Sequence, residues 1–157
     1  MSRELVEGRE CGSCSICCKV FMIKELRKFD YKWCAHARPG SGCTIYAHRP
    51  TVCQDFLCAW RLDPDLDYDH RPDFLGVMIY SRSVRLDHRE VIVYFIREFE
   101  FGASRKRFVQ EQARVYRAQG YVTIIQTNVT DEGCTNEVQW STQFFSRDDI
   151  RRLRQLI

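Results

Sequence analysis

At 157 residues, 45% of them hydrophobic, the chain has the length of one domain and enough apolar content for a core. No run approaches the roughly 18 apolar residues of a membrane span, and the charged opening MSRELVEGRE lacks the apolar stretch of a secretory signal. The expected setting is the cytoplasm, away from membranes, where thiols stay reduced.

Residues 1–60 carry nine Lys/Arg against six Asp/Glu, whereas 61–157 carry fifteen of each, so the net charge of +3 sits with the first segment. The same segment holds eight of the nine cysteines, all before residue 59. In chain order, apolar residues at Ile16, Val20, Ile23, Leu26 and Phe29 predict a helix over 14–29, although KVFMI also fits a short strand. ARPGSG at 37–42 is a loop, and YAHRPTVCQDFLCAW reads as a turn into a short helix with Pro50 in its first turn. FLGVMIY (74–80) and VIVYFIREF (91–99) are β-branched and aromatic and predict paired strands. Helical spacing follows over 104–120, with Ser104 as N-cap and Gly120 as stop. YVTIIQTNV (121–129) and EVQWSTQFFS (137–146) predict two more strands. SRDDIRRLRQLI predicts a closing helix capped by Ser146, acids first and arginines later, as the macrodipole favours. The expected class is α+β. One domain (1–157) would combine a cysteine-rich, metal-organised N-terminal lobe (8–60) with a small antiparallel sheet and helices (61–157).

The cysteines at 11, 14, 17, 18, 34, 43, 53 and 58 follow C-x₂-C-x₂-C-C-x₁₅-C-x₈-C-x₉-C-x₄-C. A secreted disulfide scaffold would spread an even number along the chain. Metal ligation fits better, because thiolates are soft ligands and C-x₂-C chelates one ion from a tight turn. Eight thiols make two four-ligand centres without remainder. Neighbouring side chains diverge from the backbone, so Cys17 and Cys18 are expected to serve different centres. Cys11, Cys14 and one of the pair would share a centre with one remote cysteine, and the other of the pair would join the remaining three. Each four-cysteine centre of a divalent ion carries about −2, which the local basic excess offsets. Metal ions are the expected partners, and no nucleic acid is expected.

These segments, CGSCSICCKV and KWCAHARPGSGCTIYAHRPTVCQDFLCAW, resemble the YkgJ-type cysteine-cluster family, described as a zinc- or iron-chelating CxxCxxCC domain. All eight family cysteines and the linking C-x-I-Y-x-x-R-P-x-x-C at 43–53 find a match here. The specific resemblance covers roughly residues 8–60. A related domain occurs in flagellin lysine methylases, but 157 residues leave no room for a separate methylase domain. The resemblance implies metal binding and no particular reaction. Zinc in two four-cysteine sites is the expectation, since four thiolates suffice for a structural ion. The alternative is iron or a [4Fe-4S] cluster in a redox or metal-delivery protein acting with a partner enzyme. C-x₂-C-x₂-C resembles ferredoxin spacing, though the x₃-C-P continuation is missing.

Around the thiols, His36 and His48 are weaker ligand candidates, Arg49 is expected to hydrogen-bond thiolates, and Trp33, Tyr46, Phe56 and Trp60 are expected to form a dry shell. Cys134, in DEGCTN, reads as a loop thiol outside the set. DPDLDYDHRPD resembles a calcium loop, but Tyr68 stands where glycine is needed and Phe74 where the bidentate Glu is needed. The basic runs RKR (105–107) and RRLR (151–154) are interleaved with acids and read as solvated helix faces. No catalytic constellation is present in the sequence.

Overall fold

The computed structural model describes residues 4–130 and 133–157; the first three residues of the charged opening, and 131–132 within DEGCTN, lie outside it. The α+β class holds. A four-stranded sheet in the order β3-β4-β5-β6 is built from Val77–Leu86, Arg89–Glu98, Val122–Thr130 and Gly133–Gln139. β3 and β4 form a hairpin through Asp87 and His88, with Asp87 at φ 52° as a short polar residue tolerates.

The sheet is mixed, which corrects the antiparallel expectation. β4 and β5 run parallel, pairing Val93 with Val122 and Ile96 with Ile125. Between them lies helix α5 (Arg107–Ala118), and a helical crossover of this length is what a parallel pair requires. α5 buries Val109, Ala113 and Tyr116, spaced by four and three residues, against Val77, Ile79, Ile96 and Ile125.

The other face of the sheet presents Met78, Tyr80, Val93, Phe95, Val122 and Ile124. Helix α6 (Arg147–Leu156) covers part of it with Ile150 and Leu153. Its start is fixed as expected, because Ser146 accepts from the Asp149 N–H while Asp149 reaches back to the Ser146 N–H. The cysteine region covers the rest with Ile16 and Val20. It is therefore packed on the sheet and shares its core.

Several boundaries move for identifiable reasons. The predicted helix over 14–29 is only α1, Cys17–Val20. Lys28 Nζ donates to the carbonyls of Lys19 and Phe21, drawing the chain back, and an Ile23–Lys28 bridge closes the bend. Hairpin strands β1 (Ala37–Arg38) and β2 (Gly42–Cys43) flank the ARPGSG loop, and α2 (Thr51–Asp55) and α3 (Ala59–Leu62) follow Pro50 and Cys58. Phe74 and Leu75 belong to helix α4 (Pro72–Leu75), so β3 starts after Gly76. A Cβ at Gly76 (φ +84°) would meet Ala103 Cβ at 2.7 Å, so glycine is required there. Ser104 is not the cap of α5, which begins after Lys106; the Ser104 N–H donates to Glu98 Oε2 instead. The last predicted strand ends at Gln139, since Ser141–Phe144 turns. Cys134 sits in β6 rather than in a loop. Among the described residues, no helix is long and apolar enough to cross a membrane.

Candidate metal centre

Four local devices gather seven of the eight cysteines, and the short helix α2 carries the eighth, Cys53. The first is the CGSC turn, in which Gly12 at φ +49° lets the Cys14 N–H donate to Cys11 O at 2.8 Å. That turn presents Cys11 and Cys14 together. Cys17 and Cys18 then open α1, whose buried Ile16 and Val20 fix it on the sheet.

The second device brings in Cys34, whose N–H donates to Cys18 O at 3.0 Å. Third, the β1–β2 hairpin lies directly on the CGSC turn. A Cβ at Gly42 (φ +98°) would stand 2.6 Å from Gly12 O, so only glycine permits this approach, which delivers Cys43. The fourth carries Cys58 to Cys11 across the longest separation in sequence. The Val6 N–H donates to Arg61 O, and Arg9 donates to the carbonyls of Trp60, Asp63 and Leu66. Arg61 returns the contact through Nε to Arg9 O and lies 3.7 Å from Cys11 Sγ through Nη1.

The result is one cavity of about 750 Å³ lined by all eight cysteines. No disulfide forms between them. Among the described residues, no three His, Cys, Asp or Glu side chains close into an ion cage. The thiols ring a space.

Within that ring the electrostatic neighbours fall into two groups. Burial raises the Cys14 thiol to about 12 despite the Ile16 N–H, and Asp73 and Cys58 add to the rise. Burial also raises Cys58, with Cys11 contributing. On the other side, burial raises Cys53 and Cys43. Cys18, Cys34 and Cys43 push Cys53 further up, and Cys18 and Cys34 do the same to Cys43. Cys17 and Cys18 join the groups. Cys17 is held well above the usual thiol range by its hydrogen bond to Cys18, by burial, and by the charges of Cys18, Cys11 and Cys14. Cys18 is held below that range, first by the same hydrogen bond, then by Lys28, Cys43 and Arg49 against the cost of burial. Cys11, Cys14, Cys17 and Cys58 form one set of neighbours, and Cys18, Cys34, Cys43 and Cys53 the other.

Several surrounding residues differ from expectation. Arg49 donates to Tyr46 O and Cys53 O rather than to sulfur, and the arginine that reaches a thiol is Arg61. Lys28, 6% exposed, is the cation nearest in effect to Cys18. No spacing rule marks Arg9, Lys28 or Arg61, because each acts on residues distant in sequence or through backbone carbonyls. Trp60 and Phe56 pack inward, but Trp33 and Tyr46 are 42% and 43% exposed and form no dry wall. His48 is exposed and His36 half-buried, and among the described residues neither imidazole is drawn into a hydrogen bond with a cysteine. Cys134 contacts Gln126 and Asn136, apart from the eight.

The donor set suits a soft cation. It is all sulfur and has Lys28, Arg49 and Arg61 placed to offset thiolate charge. No protein-family model, no curated protein and no solved structure matches this chain.

Proposed function

We propose that this is a metal-binding protein that holds zinc in two four-cysteine centres, one of Cys11, Cys14, Cys17 and Cys58 and one of Cys18, Cys34, Cys43 and Cys53. The observation that carries the reading is that all eight thiols line one cavity; the assignment to two sets follows their strongest electrostatic neighbours, branching at Cys17 and Cys18. The resemblance of residues 8–60 to the YkgJ-type cluster, carried by the same eight cysteines, points the same way. In this reading the ions are structural. Four thiolates satisfy a tetrahedral ion completely, leaving no open position for a substrate. The elements around the thiols are too short to be stable alone, so ligation would contribute folding free energy. Cytoplasmic residence follows from the need to keep eight thiols reduced.

The spacing of the first set favours a second reading for it. Three ligands spaced C-x₂-C-x₂-C plus one remote cysteine is the arrangement that holds a [4Fe-4S] cubane. Iron there would make the protein a redox or metal-delivery partner of another enzyme.

Metal analysis of anaerobically purified protein, with a visible spectrum, tests both. Zinc predicts two ions per chain and no colour, with Cys17→Ser and Cys18→Ser each weakening one centre and the double change weakening both. A brown chromophore with iron moves the assignment to the cluster. One centre only, or a dispensable Cys17 or Cys18, sinks the two-centre arrangement.

A further inference from the structure

The cavity extends past the thiols onto the sheet, and that part carries charge the thiols do not engage. Six arginines line the whole cavity (Arg49, Arg61, Arg71, Arg82, Arg85 and Arg97) against a single acidic side chain, Asp30. Three have partners beside the cysteines: Arg49 on Tyr46 O and Cys53 O, Arg61 on Arg9 O and Cys11, Arg71 on Asp73 and Ser13.

Arg82 and Arg97 are placed differently. In the β3–β4 register Tyr80 faces Phe95, with Arg97 opposite Met78 on one side of this pair and Arg82 opposite Val93 on the other. The two rings stack with centroids 5.0 Å apart, and Phe21 and Phe56 pack at 5.0 and 5.7 Å from Tyr80. Two guanidinium groups therefore bracket a stacked, buried ring pair, and the half-buried Phe21 and Phe56 stand edge-on against it at the cavity wall. Arg82 lies 5.5 Å over Tyr80 and 5.9 Å over Phe95 and makes no hydrogen bond or ion pair among the described residues. The Arg97 side chain is 12% exposed; its guanidinium already serves the Tyr31 and Tyr80 hydroxyls and lies over the Phe21 and Tyr31 rings, and its Nε alone is buried without a hydrogen-bond partner. Its one carboxylate neighbour, Asp30, stands 3.6 Å away and is half exposed, too long for a hydrogen bond and weakly held. A buried guanidinium N–H without an acceptor is unfavourable unless something in the cavity accepts from it.

We propose that this part of the cavity binds a small organic oxyanion. Its apolar, ring-sized body would pack against the half-buried Phe21 and Phe56, and its carboxylate or phosphate would be held by Arg82 and by the unpartnered Nε–H of Arg97. Guanidinium forks match such oxyanions with paired N–H donors, and stacking on rings holds the fork plane without consuming those donors. A cavity of about 750 Å³, shared with the thiols, falls within the range of small-molecule sites. Binding of this anion requires no metal, so its failure and that of the metal reading are separable.

The test titrates the full chain, with its metal content measured, against benzoate, phenyl phosphate and neutral benzyl alcohol by calorimetry. The expected result is saturable binding of at least one anion, at least about tenfold tighter than benzyl alcohol, as a charge-assisted contact implies. Whichever anion binds better identifies the head group. Arg97→Gln should abolish most of that preference. Arg82→Gln, at an exposed position, should reduce it roughly three- to tenfold and decides the matter if the Arg97 variant loses its fold by near-UV dichroism. Equal affinity for benzyl alcohol and the anions overturns the proposal. So does the absence of saturable binding at millimolar ligand, or an Arg82→Gln variant with unchanged anion affinity. A chain that carries no metal but binds the anion leaves this site standing.

Discussion

Between residues 77 and 125 the chain runs in strands of nine or ten residues and a helix of twelve, and Val77, Val93, Ile96, Val109, Ala113 and Val122 are fully buried. Between residues 11 and 58 the longest helix has five residues and the strands have two. The first region is held by area: both sheet faces are covered, and each strand bonds along its length. The second is held by single links, among them Arg9 to four carbonyls, Lys28 to two, and the Gly42–Gly12 approach. Helices of four or five residues lie far below the length at which they persist in water. On the proposed function, ligation of the thiols would supply the cross-links that these short elements lack.

The largest expected effect separates the two regions. Strong chelation, or Cys14→Ser, should open residues 1–60 to protease while the sheet of 77–139 stays protected, because ligated thiolates would be lost as cross-links together. Because Ile16 and Val20 belong to the sheet's core, some loosening at Met78 and Tyr80 should follow. Limited proteolysis with mass mapping checks this. Cuts confined to residues outside 1–60 would show that the thiols do not organise the region.

A smaller effect probes the opposite side. Ile96→Ala removes a fully buried side chain packed under α5 and should cost about 2–5 kcal/mol. Its signature is a lower midpoint in denaturant with metal content per chain unchanged. Parallel loss of metal would mean that the two regions unfold as one unit.

The smallest effect is pH-dependent and sits where the regions meet. Burial would raise the Glu98 carboxyl, but hydrogen bonds from Ser104 and the Gly102 N–H, with the Arg105 charge, hold it below the ordinary carboxylate value. Its folded pKa is depressed, so its contribution is complete above the unfolded value of about 4.3 and is lost as pH falls through the folded one. Stability should therefore decline below about pH 4, and Glu98→Gln should flatten that part of the profile. An unaltered acid limb in the variant would assign the decline to other carboxylates.

The features readable along the chain were those whose physics is local. Ser146 and Asp149 three residues apart make a capping box wherever they occur. The β-branched runs over 77–80 and 91–98 become strands because their side chains pack on a pleated surface. Misreadings arose where a distant group intervened. The helix predicted over 14–29 breaks because Lys28 takes carbonyls from its end. The parallel step from β4 to β5 was implicit in the 104–120 helix lying between two strands, since a crossover of that length permits parallel pairing.

By itself the sequence determined the α+β class, the eight clustered thiols and the strand and helix periods, because patterning, capping and ligand chemistry act between near neighbours. Only the tertiary structure decided which thiols are neighbours, that Arg61 rather than Arg49 reaches sulfur, and that Arg82 and Arg97 flank the stacked Tyr80–Phe95 pair. Those relations join residues up to some fifty positions apart. They are set by packing and strand register, which no local period encodes.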